Sequence, residues 1–273
     1  MRIELRGVGH VYGAGTPFEV VALRGVSLAV EEGEVFAIVG GTGSGKSTLL
    51  QHLNLLLEPT SGEVLVDGVD ARGLERGSLR RRVGLVFQFP EAALFAPTVR
   101  EDVAFAPRRM GLGEGGVRER VDGVLERLGI GHLAERAPHA LSGGEKRRAA
   151  IAGVLAMGPE VLVLDEPTAG LDPATRAELL GVVRDLRAGG ATIVLVSHDL
   201  DEVAEVADRV CVMDAGEVVR LGTPEEVFYA DSSTRSAPTT VRVASLLREH
   251  HPEIGGPVSF GETLAALRAV LGE

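Results

Sequence analysis

A glycine-rich segment that ends in lysine and serine carries the clearest chemistry in the sequence. It matches the pattern G-x-x-x-x-G-K-[ST] in full and comprises Gly40, Gly41, Thr42, Gly43, Ser44, Gly45, Lys46 and Ser47. Glycines allow the backbone to wrap closely around a phosphate group, with successive N–H groups turned inward. The lysine can bridge terminal phosphates and the serine hydroxyl can bind Mg²⁺. The segment, with the adjoining Thr48, therefore predicts a nucleotide-phosphate site.

An acidic pair follows an apolar run later in the chain. The run Val161-Leu162-Val163-Leu164 is typical of a buried strand, and Asp165 and Glu166 come directly after it. Because adjacent residues at a strand end tend to point in opposite directions, the two carboxylates should face different atoms. Asp165 is expected to face Mg²⁺ through water, and Glu166 to orient or deprotonate an attacking water. Such a pair alone is often a solvated turn, but beside a phosphate loop it indicates hydrolysis.

A second glycine pair stands at a helix start. Ser142-x-x-Glu145 is a capping box, and Gly143 and Gly144 lie between its two members. Glycine in a helix interior costs roughly 1 kcal/mol, and less in the first turn. The open backbone N–H groups of such a helix start form a second surface that can bind phosphate.

These segments together resemble an ATP-binding cassette (ABC) ATPase. LSGGE at 141–145 resembles the family signature LSGGQ, from which Glu145 departs. The resemblance implies ATP held between the phosphate loop of one chain and the signature of another, hence a dimer of cassettes, identical or related. It gives Gln88 and His198 roles at Mg²⁺ and the γ-phosphate, and residues 169–172 (AGLD) the role of a loop crossing between subunits. Tyr12 matches the aromatic residue that stacks on adenine, with Phe18 also nearby.

A narrower resemblance covers GGTGSGKSTLLQHLNLLLEPTSG, VGLVFQFPEAALFAPTVREDVAFAP and LSGGEKRRAAIAGVLAMGPEVLVLDEPTAGLDP. These segments are similar to the ATPase subunits of energy-coupling factor (ECF) transporters, which import vitamins or transition metals into prokaryotic cells. The resemblance implies an ATP-hydrolysing motor at the cytoplasmic face of the membrane. Its implied partners are a second ATPase subunit, a transmembrane coupling subunit and a substrate-binding membrane subunit.

Strands and helices must position these residues, and the pattern indicates an α/β fold. Residues 1–33 alternate as antiparallel strands, while 34–39 (EVFAIV), 161–164 and 192–196 (TIVLV) are short apolar runs with helical segments between them. A helix is predicted over 46–57, and a helical insertion over about 90–159. Residues 1–228 are interpreted as the ATP-binding domain. Residues 229–273, with a polar linker at 231–240 and helices at 241–249 and 261–271, are interpreted as a helical extension, possibly for dimerisation.

The stretch FQFPEAALF at 87–95 gathers three of the chain's 8 phenylalanines around one glutamine. We expect Phe87 to pack in the core as part of a strand and Pro90 to end that strand. Phe89, Leu94, Phe95 and Phe105 are expected to line an apolar groove. In the family this groove receives a short helix of the membrane protein.

Composition limits the alternatives. A net charge of −11 argues against nucleic acid as a partner, and the basic run at 146–148 is expected on a solvated face. The single Cys211 excludes an internal disulfide and a cysteine zinc site. No uncharged apolar run approaches the roughly 20 residues of a membrane span.

A soluble ABC ATPase of DNA repair or translation is the alternative, disfavoured because the chain lacks long heptads and a second cassette. A cassette that binds ATP without turnover is disfavoured because the named catalytic positions are filled.

Overall fold

The computed structural model describes residues 1–230, 237–252 and 254–271. Its strands are β1 (Ile3–Tyr12), β2 (Val20–Val30), β3 (Val35–Gly40), β4 (Ser61–Val66), β5 (Val69–Asp70), β6 (Val83–Val86), β7 (Val161–Asp165), β8 (Thr192–Val196), β9 (Arg209–Asp214) and β10 (Glu217–Gly222). Its helices are α1 (Lys46–Leu53), α2 (Arg76–Arg82), α3 (Val99–Arg109), α4 (Glu114–Arg127), α5 (Gly143–Leu155), α6 (Pro173–Ala188), α7 (Leu200–Val206), α8 (Pro224–Phe228), α9 (Thr239–Arg248) and α10 (Phe260–Leu271).

A six-stranded sheet forms the centre, in the order β10-β9-β3-β8-β7-β6. β9, β3, β8, β7 and β6 run parallel, and β10 closes one edge as an antiparallel partner of β9. Every residue of β7 and β8 is buried, as expected for parallel strands covered on both faces. The predicted parallel sheet is therefore confirmed.

A smaller antiparallel sheet, β2-β1-β4-β5, packs beside it. Ile3 and Leu5 of β1 share one apolar core with Phe36 of β3 and Leu49 of α1. The antiparallel strands predicted in residues 1–33 are confirmed. β4 and β5 complete this sheet without having been predicted, since SGEVLV is short and contains a glycine.

Residues 90–159, all of which the structure describes, contain helices and no strand. α3, α4 and α5 bury Val103, Val121 and Ile151 in a core continuous with the sheet residue Leu164. The helical insertion of the predicted fold is confirmed.

Two local predictions were wrong. The helix predicted over 46–57 ends at Leu53, because Asn54 leaves helical geometry and Leu55 has a left-handed backbone with φ 50°. Phe87 does not pack in the core: β6 ends at Val86, and the Phe87 side chain, which follows the strand, is half exposed.

The C-terminal region packs on the main body through Val241 and Val258, which contact Val227 and Phe228. Thr239, at the start of α9, donates its backbone N–H and its hydroxyl to the Asp201 carboxylate. α9 and α10 correspond to the two predicted tail helices, and each begins one or two residues earlier than expected. Most of the predicted linker, 231–236, lies outside the described residues.

Cys211 lies within β9 and is fully buried. Burial raises the pKa of its thiol to about 12, because an apolar environment disfavours the thiolate.

Candidate active site at the strand ends

The site residues lie at the carboxyl ends of four neighbouring strands. Gly40 ends β3, His198 follows β8, Asp165 ends β7, and Gln88 follows β6. In open parallel sheets, ligands bind outside the carboxyl ends of the strands. The fold thus brings together residues that are more than 150 positions apart in sequence.

The glycine-rich loop adopts backbone geometry that depends on its glycines. Gly40 has φ 155°, and a Cβ there would overlap the Met213 carbonyl oxygen. Gly45 has φ 98°, and a Cβ there would lie 2.7 Å from the Ala22 carbonyl oxygen. The loop is thereby held close against β2 and β9, and α1 begins directly after it at Lys46.

Lys46 is folded back along this loop. Its Nζ donates to the carbonyl oxygens of Gly40 at 2.8 Å and Gly41 at 2.9 Å. Burial lowers the pKa of the ammonium group, and the carboxylates of Glu166 and Asp165 oppose that change. A cation so placed at a helix N-terminus can attract phosphate oxygens.

The glycine-rich loop contains a buried hydroxyl group that is suited to bind an anion. The Ser44 hydroxyl oxygen is buried and has no hydrogen-bond partner among the residues that the structure describes. Buried polar atoms are normally paired, so an orphaned hydroxyl inside a glycine loop is consistent with a phosphate oxygen as its partner.

Asp165 and Ser47 form the candidate Mg²⁺ ligands. Ser47 begins α1 beside Lys46, and its side chain acts on the Asp165 carboxylate by lowering the pKa of that group. Burial raises the pKa of Asp165, and Ser47 offsets part of that rise. A buried carboxylate beside a hydroxyl is a donor set that suits a hard divalent cation, which would also stabilise the ionised form of Asp165.

Glu166 faces different partners from Asp165. Its Oε2 accepts a hydrogen bond from Gln88 Nε2 at 2.8 Å and lies 3.3 Å from His198 Nδ1. Its backbone has a left-handed φ of 47°, and its N–H donates to the Val196 carbonyl oxygen at 3.0 Å. The left-handed turn therefore aims Glu166 toward the ends of β6 and β8, where a carboxylate can orient and deprotonate a water molecule.

Tyr12 ends β1 beside α1. Its hydroxyl lies 3.2 Å from Thr48 Oγ1, and its ring, which is partly exposed, is available to stack on a flat ligand. Phe18, the other aromatic considered, is far more exposed, in the loop between β1 and β2.

A buried histidine pair behind Tyr12 was missed by the sequence analysis. His52 Nε2 lies 3.2 Å from His10 Nδ1, and the His10 ring packs edge-on against Tyr12. His52 Nδ1 contacts the Thr48 carbonyl oxygen at 2.7 Å. The only sequence signal was the stretch QHLN at 51–54.

The helix start at Ser142 has the predicted capping box. Ser142 N–H donates to Glu145 Oε2 at 2.7 Å, and Glu145 N–H donates to Ser142 Oγ at 3.3 Å. Gly144 is buried where α5 meets α6, and a Cβ there would overlap Thr175. Gly143 is exposed, and a Cβ there would meet nothing within 4 Å.

Four apolar residues form what we call the aromatic surface: Phe89, Leu94, Phe95 and Phe105. The three phenylalanines are exposed, and the rings of Phe95 and Phe105 meet edge to face at 5.0 Å. Phe89 has a left-handed backbone with φ 53°, which turns the chain immediately after Gln88. Exposed aromatic clusters of this kind mark interaction sites.

A parallel sheet that gathers a phosphate loop, an acidic pair and a histidine at adjacent strand ends, with a helical insertion carrying a capped glycine pair, is the architecture of an ATP-binding cassette. A family model described as ABC transporter matches residues 23–169. The EcfA2 energy-coupling factor transporter ATP-binding protein of Symbiobacterium thermophilum is 51% identical, over 99% of this chain and 97% of that protein. EcfA of Methanothermobacter thermautotrophicus is 46% identical, over 99% and 88%.

Solved structures agree. CbiO1 of Clostridium perfringens, part of the ABC transporter complex cbiONQ, has a TM-score of 0.79 and 40% identity, covering 92% of this chain and 96% of that one. The MJ0796 cassette, as a dimer bound to ADP and Pi, has a TM-score of 0.70 and 31% identity, covering 81% and 98%.

The chain belongs to the ABC transporter family, among the ATP-binding proteins of energy-coupling factor transporters. It is an ATPase by family. No helix among the described residues is both long and apolar enough to cross a membrane.

Proposed function

We propose that this chain is the ATP-hydrolysing motor of an ECF-type importer, taking up a vitamin or a transition metal ion at the cytoplasmic face of a prokaryotic membrane. The observation that carries the proposal is the convergence of Gln88, Glu166 and His198 beside the Ser47–Asp165 pair. Such an arrangement suits attack of water on a phosphate, and the relatives named above are transporter ATP-binding proteins.

In this proposal Glu166 is the base that orients and deprotonates the attacking water, and His198 donates to the γ-phosphate. The phosphate loop from Gly40 to Ser47, with Thr48, holds the phosphates, while Tyr12 stacks on adenine. Ser47, Asp165 and the amide oxygen of Gln88 would hold Mg²⁺, which when bound neutralises phosphate charge as a Lewis acid.

A second cassette completes the site. Ser142, Gly143 and Gly144 would bind the phosphates held by a partner's phosphate loop, because their helix start presents N–H groups to an anion. The partner is a second copy or a related chain, and the C-terminal region contributes to their association. Its exposed Val243, Leu246 and Leu271 support an additional interface there.

The aromatic surface would bind a helix of the transmembrane coupling subunit. It follows Gln88 directly along the chain, which supports a link between membrane subunit and nucleotide. A soluble role in DNA repair or translation is not favoured by the transporter relatives.

The test is purification of the tagged chain from cells that express the membrane subunits of its source organism. We expect co-purification with a transmembrane and a substrate-binding subunit, and a loss of roughly tenfold or more in assembly for Phe95→Ala, as for an interface anchor. Val219→Ala, an exposed apolar change on β10, is the matched control. A chain that never associates with membrane subunits would contradict the proposal.

A further inference from the structure

Arg147 is a buried charge within the second turn of α5. The sequence led us to expect the basic run 146–148 on a solvated face, but Arg147 is only 2% exposed. A buried cation is costly unless it is paired and hydrogen-bonded. Its partners therefore indicate why this position carries a charge.

The Arg147 guanidinium reaches three segments of the chain. Its Nε and Nη2 donate to the two carboxylate oxygens of Glu91 at 3.0 and 3.1 Å, a bidentate ion pair. Its Nη1 donates to the Pro167 carbonyl oxygen at 2.7 Å, and Nη2 also donates to that of Ala169 at 3.2 Å. The guanidinium carbon lies 5.7 Å from the centre of the Phe89 ring.

Each of these partners adjoins a functional segment. Glu91 lies in a single helical turn, Pro90–Ala93, between Phe89 and Leu94 of the aromatic surface. Pro167 and Ala169 lie one and three residues after Glu166. Arg147 itself stands three residues after Gly144 of the capped glycine pair. One side chain thus joins the aromatic surface, the loop after the acidic pair and the signature helix.

A rigid, forked donor is required for this set of contacts. Arginine presents five N–H donors in a plane and makes four bonds here, to both oxygens of a carboxylate and to two carbonyl groups, whereas a lysine ammonium carries only three donors on one atom. If the aromatic surface moved away from α5, Glu91 and Arg147 would be separated and the buried cation left without its counter-ion.

We propose that Arg147 is a positioning residue that fixes the aromatic surface to α5 and to the loop 167–169, so that the three move together when ATP engages the start of α5. This proposal rests on the proposed function, because it assumes ATP-dependent closure. The Arg147–Glu91 pair then transmits the state of the nucleotide site to the surface proposed to bind the membrane subunit.

The neighbouring Arg148 supplies a matched control. It pairs with Glu178 of α6 at 2.6 Å, and the Glu178 side chain is largely exposed. Glu178→Gln removes the carboxylate partner of an arginine in the same stretch of α5, without touching the aromatic surface.

The experiment measures amide hydrogen exchange in the full-length chain carrying Glu166→Gln, with and without Mg·ATP. We expect ATP to slow exchange in residues 40–47 and, by about tenfold or more, in residues 89–95. Adding Glu91→Gln should keep the ATP effect at 40–47 within about twofold of the parent and reduce the effect at 89–95 to less than about twofold. Glu178→Gln should change neither. Arg147→Lys should behave as Glu91→Gln does.

Three outcomes would overturn the positioning role. The first is a Glu91→Gln chain that keeps the parent's ATP effect at 89–95. The second is a parent that binds ATP at 40–47 without any effect at 89–95. The third is loss of the ATP effect at 40–47 together with a shared drop in melting temperature in Glu91→Gln and Arg147→Lys, which would make the bridge purely structural. A parent with no ATP effect anywhere would instead contradict the proposed function.

Discussion

Gln88 Nε2 donates to Glu166 Oε2 across 2.8 Å, which joins the end of β6 to the end of β7. The two residues are 78 positions apart in sequence. Any movement of the segment after β6 therefore changes the surroundings of the proposed base. In the proposed function this orientation lets two adjacent carboxylates serve water and metal separately.

Glu166→Gln should keep ATP binding and abolish steady-state hydrolysis. Glutamine retains the shape of the side chain and an oxygen for Gln88, but it cannot accept the proton of an attacking water. The expected loss is roughly 10²–10⁴-fold in turnover, measured by phosphate release, with ATP affinity measured by calorimetry. Glu160→Gln, at the opposite end of the same strand, is the control. Unchanged turnover would remove Glu166 from the role of base.

Asp165→Asn should make the nucleotide-free chain more stable while impairing Mg²⁺-dependent ATP binding. Because burial raises the pKa of Asp165 in the folded state, the unfolded chain ionises first as pH rises, and the folded state loses stability over that interval. Asparagine does not titrate. We expect a gain of about 2–4 °C in melting temperature at neutral pH, shrinking below about pH 4. An equal gain at both pH values would refute this explanation.

His52→Gln should reduce the loss of folding stability that the parent shows as the pH falls below about 6.5. His52 Nδ1–H donates to the Thr48 carbonyl, which leaves Nε2 as an acceptor. His10 Nδ1–H lies 3.2 Å from both this Nε2 and the Glu58 carbonyl oxygen, and a proton on Nε2 would oppose that donor. Burial accordingly lowers the pKa of His52. The contribution of His52 to folding stability is therefore fully present above its unfolded-state pKa of about 6.5. It is lost as the pH falls below that value toward the lower pKa of the folded state.

The measurement is melting temperature against pH from 7.5 to 5. His52→Gln should lower stability at pH 7.5 by about 1–3 kcal/mol, since a buried partner is lost, and should then lose less on acidification than the parent. The exposed His139 provides a control through His139→Gln. A parallel pair of profiles for His52→Gln and the parent would contradict the role of His52.

Gly40→Ala should destabilise the chain and weaken ATP binding, whereas Gly41→Ala should leave stability unchanged. A Cβ at Gly40 would overlap the Met213 backbone, while a Cβ at Gly41 meets nothing within 4 Å. Strain of this kind costs about 1–3 kcal/mol. Urea denaturation of the two variants compares them directly, and equal stability would show that β9 yields to the added methyl group.

Local patterns predicted the phosphate loop, the acidic pair and the capping box at Ser142, because each depends on residues within a few positions of one another. The strands of the central sheet and the helices between them could also be predicted, since buried parallel strands are continuous apolar runs. The carboxylate of Glu166 could be placed at a strand end from sequence, although its contacts with Gln88 and His198 required the strand order.

Long-range pairing accounts for what the sequence did not reveal. Arg147 pairs with Glu91, 56 residues away in sequence, and His52 contacts His10, 42 residues away. Neither pairing leaves a periodic signal in the sequence, because the three-dimensional fold decides which distant polar groups become hydrogen-bond partners in the interior. Phe87 was misplaced for a related reason: one residue decides whether an aromatic side chain lies in a strand or beyond it.

The burial of Cys211 makes the native chain a clean background for chemical labelling. With its thiol enclosed in β9 and its pKa at about 12, the one native cysteine forms almost no thiolate at neutral pH. A cysteine introduced on the surface, at Phe95 or at Leu246 for example, would be the sole reactive thiol. Fluorophores or spin labels could then report the separation of two cassettes without prior removal of the native residue.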